Sequence, residues 1–373
     1  MPSLNMVRRR TRPVRVGDVV VGGDAPVAVQ SMCNTDTRDV AATLTQIRAL
    51  AAAGCELVRV AVPDRTAAAA LGAITSAAPV PVIADVHFHH TLALAAVEAG
   101  VHGLRLNPGN IGARWKVAEV VAAARERKVP IRIGVNAGSL ETELLERHGG
   151  PTPEALVASA LGHVRILEDL DYREIKVSLK GSRVPQTVAA YRLLAGQCEY
   201  PLHVGITEAG TVFRGAVKSA VGLGVLFYLG LGDTLRVSLT GDPVEEVRVA
   251  YWILGALGLR RRGVEVISCP TCGRTRIGLV QLAEEVERRL AHLDAPLTVA
   301  VMGCEVNGPG EAREADFGIA GGKGEGLLFR HGEIVRKLPE DQLVDALVAE
   351  VEEEVRRLGG GPGGRAAPEH ELE

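Results

Sequence analysis

Leu57 to His87 reads LVRVAVPDRTAAAALGAITSAAPVPVIADVH. A β-branched run (57–62) gives way to a polar loop, then to an alanine- and leucine-rich stretch, then to a second β-branched run (81–87). That order describes a strand, a crossover helix and a second strand parallel to the first. The same grammar recurs on both sides. Further strands are predicted at VAVQSM (27–32), GLRLNP (103–108), PIRIGVN (130–136), EIKVSLK (174–180), PLHVGIT (201–207) and TLRVSLT (234–240). Helical stretches such as DVAATLTQIRALAAAG (39–54) and ARWKVAEVVAAARERK (113–128) separate them. Eight such units match a (β/α)8 TIM barrel, whose usual size is about 250 residues. A doubly wound open sheet is the other arrangement that this strand count permits. The early VRVGDVVVGG (14–23) reads as a hairpin around Gly17-Asp18, placed to plug one barrel end.

The grammar changes at Leu259-Arg260-Arg261-Arg262-Gly263. A strand (VEVIS, 264–268) leads into CPTC, a helix follows (278–293), and another strand (LTVAVM, 297–302) precedes a third cysteine. Short strands around DFGIAGG and GLLFRHGEIVRKL and a last helix from about Pro339 complete a small α+β domain. The expected division is a barrel domain over 1–258 and a small domain over 259–357. A tail over 358–373, whose GGGPGGRAAPEHELE cannot bury a core, is expected to be disordered.

Bulk numbers narrow the class. With 373 residues, two domains are expected. The composition, 47% hydrophobic and 23% charged, is that of a globular protein. A net charge of −3 and only 3% aromatics argue against a nucleic-acid partner. No apolar run is long enough to span a bilayer. MPSLNMVRRRTRP lacks the apolar segment of a signal peptide, so a cytoplasmic protein is expected. There, disulfides are disfavoured, and closely spaced cysteines are better read as metal or redox ligands.

Cys269 and Cys272 form such a C-x2-C, and Cys304 follows a neighbouring strand. Three thiolates meeting at one end of a small sheet suit a tetrahedral zinc or an iron–sulfur cluster. A fourth ligand is wanted. His292 and His331 are available but read as solvent-facing. Glu311 is the other candidate, because the turn Gly308-Pro309-Gly310 carries it back toward Cys304; the alternative is a surface carboxylate. Cys33, Cys55 and Cys198 read as small buried hydrophobes of the barrel.

The barrel strands carry a second anomaly. Strands buried on both faces read as apolar runs, yet these hold Arg59, Arg105, Arg132, Lys176 and Arg236, with Lys180 and Ser238 near strand ends. Buried cations cost several kcal/mol unless paired. Asp85, Glu208 and Asp233 are possible partners but are outnumbered. An anionic ligand is the simpler account, and the arginine fork suits phosphate. Loops at Asn107–Asn110, Asn136–Ser139 and Thr207–Gly210 follow the strands, where barrels bind substrates and where backbone N–H groups meet phosphate. In ADVHFHH, Asp85, His87 and His89 alternate toward one face, as a hydrogen-bonded wall or a metal site.

Taken together, VQSMCNTDTRD, CPTCGRT and CEVNGPGEA in this order make the sequence resemble the 4-hydroxy-3-methylbut-2-en-1-yl diphosphate synthases over nearly the whole chain. The resemblance implies a [4Fe–4S] cluster on Cys269, Cys272, Cys304 and Glu311. It implies reductive opening and dehydration of 2-C-methyl-D-erythritol 2,4-cyclodiphosphate in isoprenoid synthesis, with electrons from flavodoxin or ferredoxin. Arg59, Arg105, Arg132, Asn136, Lys180 or Lys176, Arg236 and Ser238 would hold the diphosphate. Glu208, in the matching GITEAG loop, would be the acid for the departing hydroxyl, with Glu311 also placed at the chemistry. A homodimer is implied, one chain's cluster domain covering the other's barrel. Two rivals stand beside it: a phosphate-binding barrel with a structural zinc module, and a radical enzyme using S-adenosylmethionine, disfavoured by the cysteine spacing.

Overall fold

The computed structural model describes residues 7–304, 312–322 and 324–359. The chain forms two compact units, Met1–Arg260 and Arg261–Glu373.

The first unit is a closed parallel barrel. Its strands are β3 (Ala28–Met32), β4 (Leu57–Ala61), β5 (Val82–Asp85), β6 (Gly103–Arg105), β7 (Ile131–Asn136), β8 (Ile175–Lys180), β9 (His203–Val204) and β10 (Thr234–Leu235). Each pairs with its sequence neighbour, β10 returns to β3, and a Val177–Leu202 bridge joins β8 to β9. The open-sheet alternative is thereby excluded. Followed strand by strand from Gln30 through Leu57, the pairing returns to the starting strand at the level of Gly22, eight residues earlier. A shear of eight fixes the tilt and sorts inward side chains into layers of four from alternate strands.

The outward residues explain the stability. Val58, Val60, Val82, Leu104, Ile131, Ile133, Ile175, Val177 and Val204 pack beneath the surrounding helices in one continuous core. Their alternating neighbours, among them Arg59, Arg105, Arg132, Lys176 and Arg236, are absent from that core and face the lumen.

Two of the predicted strands are much shorter than their β-branched runs. At Gly205 the backbone of the next strand comes so close that a Cβ would lie 2.5 Å from the Arg236 carbonyl oxygen. The regular ladder ends there, although Arg236 N–H still donates to Val204 O at 3.0 Å.

The predicted hairpin is present as β1 (Val14–Val16) and β2 (Val19–Val21). Val16 and Val21 pack on Ala28, Leu57 and Ile83, which lie at or near the starts of barrel strands. The hairpin therefore stoppers the N-terminal end. Arg8 and Thr11 tie this segment down by hydrogen bonds to Asp233 at 3.0 and 2.9 Å.

The second unit is a five-stranded mixed sheet, β11 (Glu265–Ser268), β12 (Thr298–Met302), β13 (Phe317–Gly321), β14 (Glu325–Arg330) and β15 (Glu333–Pro339), paired in that order. The first three strands are parallel, and the last two form an antiparallel meander. Helices Leu279–Leu290 and Leu343–Arg357 cover one face through Val286, Leu290, Leu347 and Val351.

Candidate active site

The upper barrel lumen concentrates positive charge. Arg59, Arg105, Ser178 and Arg236 form one layer. Above it lie Met32, Asp85, Gly134 and Gly205, and above those Lys180 and Ser238. The two glycines make room for cations. A Cβ at Gly134 would meet Arg105 Nε at 2.6 Å, and one at Gly205 would sit 3.1 Å from Lys180 Nζ.

Two carboxylates organise this charge. Asp85 lies 3.2 Å from Arg105 Nη1 and 3.5 Å from Arg59 Nε. Burial pushes its carboxyl up, but Arg59, Arg105 and Arg132 pull harder, so its pKa lies below the ordinary value. Arg105 also reaches His87 and donates to Gly134 O at 2.8 Å. Asn107 clamps the same Gly134 peptide, accepting from its N–H at 2.8 Å and donating to its carbonyl at 3.1 Å. Asp85 and His87 come together, 3.4 Å apart and both within reach of Arg105, whereas His89, expected on the same face, starts a helix without a side-chain cap bond.

The other carboxylate is Glu246, which the sequence reading missed. It accepts from Arg236 Nε and Nη2, each at 3.1 Å, from Ser31 Oγ at 3.0 Å and from Leu239 N–H at 3.0 Å. The suggested partners Asp233 and Glu208 do not serve here. Asp233 precedes β10, at the barrel's N-terminal end, where it accepts from Arg8, Thr11 and Leu202. Glu208 sits exposed on the loop after β9.

Two acids do not neutralise the cations. Burial holds Arg59 down at about 10, against the pull of Asp85. Burial and neighbouring arginines push Arg132 and Lys180 well below their ordinary values. The Arg59 fork otherwise contacts Met32 Sδ, at 2.9 and 3.2 Å. A thioether accepts only weakly, so it positions the guanidinium without compensating its charge. Arg132 donates one bond, to Ser178 Oγ at 2.6 Å, and its Nε and Nη2 are unmet. Such a surplus of donors suits an anion carrying several oxygens.

Of the two lysines, Lys180 ends β8 at the mouth. Lys176 lies four residues earlier, ~13 Å back along the strand at about 3.3 Å per residue. Asn136 and Ser238 end their segments on the mouth side, half-buried. Glu208 has φ 52°, a left-handed backbone that a glutamate rarely adopts. Such strain is tolerated where a side chain must be aimed.

In the second unit, Cys269 follows β11 and Cys304 follows β12, and these strands are adjacent and parallel. Gly303 N–H donates to Cys269 Sγ at 3.2 Å, so the chain at Cys304 abuts the first cysteine. Cys272 joins through its turn: its N–H donates to Thr275 Oγ1 at 3.1 Å, and Arg276 N–H donates to Gly303 O at 3.0 Å. A hydrogen bond from the Arg274 backbone lowers the Cys272 pKa. The barrel thiols behave oppositely, burial pushing Cys33 and Cys55 up to about 12. Glu311 lies outside the described residues. Among the described residues, no three His, Cys, Asp or Glu groups could hold a metal ion. A four-iron cluster makes a looser demand, since its ligands attach at separate corners; three soft donors at one sheet end fit it.

Comparison with known proteins agrees with both halves. The GcpE TIM-barrel domain model matches residues 11–251, and the GcpE protein C-terminal domain model matches 265–353. The chain is 71% identical over 346 residues to a 4-hydroxy-3-methylbut-2-en-1-yl diphosphate synthase (flavodoxin) from Geobacter sulfurreducens, covering 93% of this chain and 98% of that one. It is 61% identical to the protein of the same name in Maridesulfovibrio salexigens, covering 92% and 97% of the two chains, and 56% identical to that in Clostridium perfringens, covering 93% and 99%.

Proposed function

We infer from the GcpE family, to which this chain belongs, that it forms 4-hydroxy-3-methylbut-2-en-1-yl diphosphate. The substrate is 2-C-methyl-D-erythritol 2,4-cyclodiphosphate. The ring opens, water leaves, and two electrons are taken up from reduced flavodoxin, the carrier named for the relatives. The observation that carries the barrel's part is the surplus of buried cations at one strand end, held by only two carboxylates.

Arg59, Arg105, Arg132, Lys180 and Arg236, with Asn136 and Ser238, bind the diphosphate. Asp85 and Glu246 hold three of the arginines in place before substrate arrives, so little reorganisation is needed on binding. Release of the ring oxygen from carbon increases negative charge on the diphosphate, and the same cations stabilise that increase. Glu208 supplies the proton that lets the hydroxyl depart as water.

Cys269, Cys272, Cys304 and Glu311 would hold a [4Fe–4S] cluster, which supplies one-electron transfer when bound. A homodimer, one chain's cysteine unit over the other's barrel mouth, completes the reading. It is supported by the exposed apolar stripe of Phe213, Val217, Val221 and Val225 on helix Val212–Tyr228, which a second copy would cover. Among the described residues no helix is long and apolar enough to cross a membrane.

The test is anaerobic turnover of the cyclodiphosphate with reduced flavodoxin. Formation of the linear allylic diphosphate is expected. No turnover by protein carrying four irons and four sulfides per chain, about the content of one cluster, would overturn the reading. Glu208→Gln is expected to lower kcat about 10²–10⁴-fold with KM little changed. Wild-type kcat in that variant would remove Glu208 from the proton step. Sedimentation of the holoenzyme as a monomer with full activity would remove the dimer.

A further inference from the structure

The lower half of the barrel lumen is polar on one side only. Gln30, Arg132 and His203 share a layer with Ile83, and Lys176 and Thr234 share the layer beneath with Leu57 and Gly103. All five polar residues are at most 2% exposed. Yet the Lys176 ammonium, Arg132 Nε and Nη2, both Gln30 amide atoms, both His203 ring nitrogens and the Thr234 hydroxyl make no hydrogen bond to another protein atom. Side chains that share a lumen and do not bond one another leave their polar ends separated by more than a hydrogen bond. Unmet donors in this number would offset the whole stability of an ordinary domain.

The identity of the missing partner follows from the atoms. Ammonium and guanidinium groups only donate, and the glutamine, histidine and threonine can each turn a donor inward. No carboxylate reaches this level: Asp85 lies two layers above Arg132, engaged by Arg59 and Arg105. Water would supply lone pairs but leave the buried Arg132 guanidinium, and Lys176 whenever it is protonated, without a counter-charge.

We infer that the lower lumen binds a small inorganic monoanion of the halide class, between Lys176, Arg132, Gln30, His203 and Thr234. This site lies below the mouth and meets it at Arg132, which bonds Ser178 by one nitrogen and has two more to offer; it stands whichever anion the mouth takes. The hairpin stopper below and the apolar Leu57 and Ile83 opposite close the floor and one wall of this level, which suits a small ion better than a diphosphate. A bound anion also gives Lys176 a counter-charge. Without one, burial and the neighbouring Arg132 bring its pKa down to about 7.

The test uses the whole protein, equilibrated with the halide before inorganic diphosphate is added to saturate the mouth. Crystals grown in sodium bromide are expected to show anomalous density between Lys176 Nζ and Arg132. In solution, chloride or bromide is expected to raise Tm by a few degrees, growing with the logarithm of concentration above Kd, while gluconate at equal ionic strength does not. Lys176→Met should abolish this halide-specific rise and Thr234→Val should weaken it, with folding checked by circular dichroism. If Lys176→Met fails to fold, Thr234→Val alone carries the solution test. Water without anomalous signal, equal response to chloride and gluconate, or an undiminished halide rise in the folded variants would overturn the inference.

Discussion

The barrel mouth and the cysteine-bearing sheet occupy the same kind of place, the C-terminal edge of parallel strands, but they are built by opposite strategies. At the mouth, Arg59, Asp85, Arg105 and Glu246 are buried, Arg236 is half-buried, and all five are held by side-chain bonds before any ligand is present. At the cysteine edge, Cys272 is exposed, Cys269 is half-buried, and the bonds joining the arms are mainly backbone ones. Charge that must act on a desolvated anion has to be fixed in advance, because a loose cation would be compensated by water. Thiolate ligands need less, since the metal's own bonds complete their arrangement.

Four substitutions or conditions sharpen this contrast, taken from the largest effect downward. Cys304→Ala should abolish turnover and lower iron content while leaving inorganic diphosphate binding by calorimetry unchanged. Loss of diphosphate binding in that variant would show that the two regions are not independent. Glu246→Gln removes the charge that Arg236 is built around, and a broken buried pair costs about 3–5 kcal/mol. Urea unfolding should report a loss of that order, and a loss under ~1 kcal/mol would mean the mouth is not prearranged by its acids. Arg132→Ala should raise KM about 100-fold, the equivalent of ~2.7 kcal/mol for charge-assisted bonds to the diphosphate. An unchanged KM would make that arginine structural.

The smallest effect is a pH dependence confined to the barrel. His203 is held well below the ordinary imidazole value by burial, reinforced by Lys180, Arg132, Arg59 and Lys176. His163 is also lowered by burial, partly opposed by Glu141. The unfolded chain therefore binds these protons more readily than the folded one. Their contribution is fully present above pH ~6.5 and is lost as pH falls from there toward the folded values, at no more than about 1.4 kcal/mol per pH unit for each group. Urea midpoints from pH 7.5 to 5.5 check this. His203→Gln should flatten the slope, and an unaltered slope would assign it elsewhere.

Much of this was legible in the residues. The β-branched runs and alanine-rich crossovers give the barrel because their alternation and length leave few other packings, and Gly17-Asp18 marked the hairpin. Charge inside apolar strands pointed to the mouth, because burial without payment in partners is too costly to be incidental. Other features were hidden for physical reasons. Glu246 stands in the first turn of helix Pro243–Ala256, where an acid is expected merely to complement the helix dipole. Asp233 looked like a mouth partner because sequence does not tell which end of a short strand faces the ligand. His203 looked ordinary in PLHVGIT, since its isolation among cations depends on the register of three other strands.

The hairpin stopper makes the barrel a blind tube. Substrate and product must use the same opening, so a new molecule cannot enter until the old one has left. Product is therefore expected to inhibit competitively, and any ion settled in the depths of the tube is trapped there for as long as the diphosphate stands in the doorway.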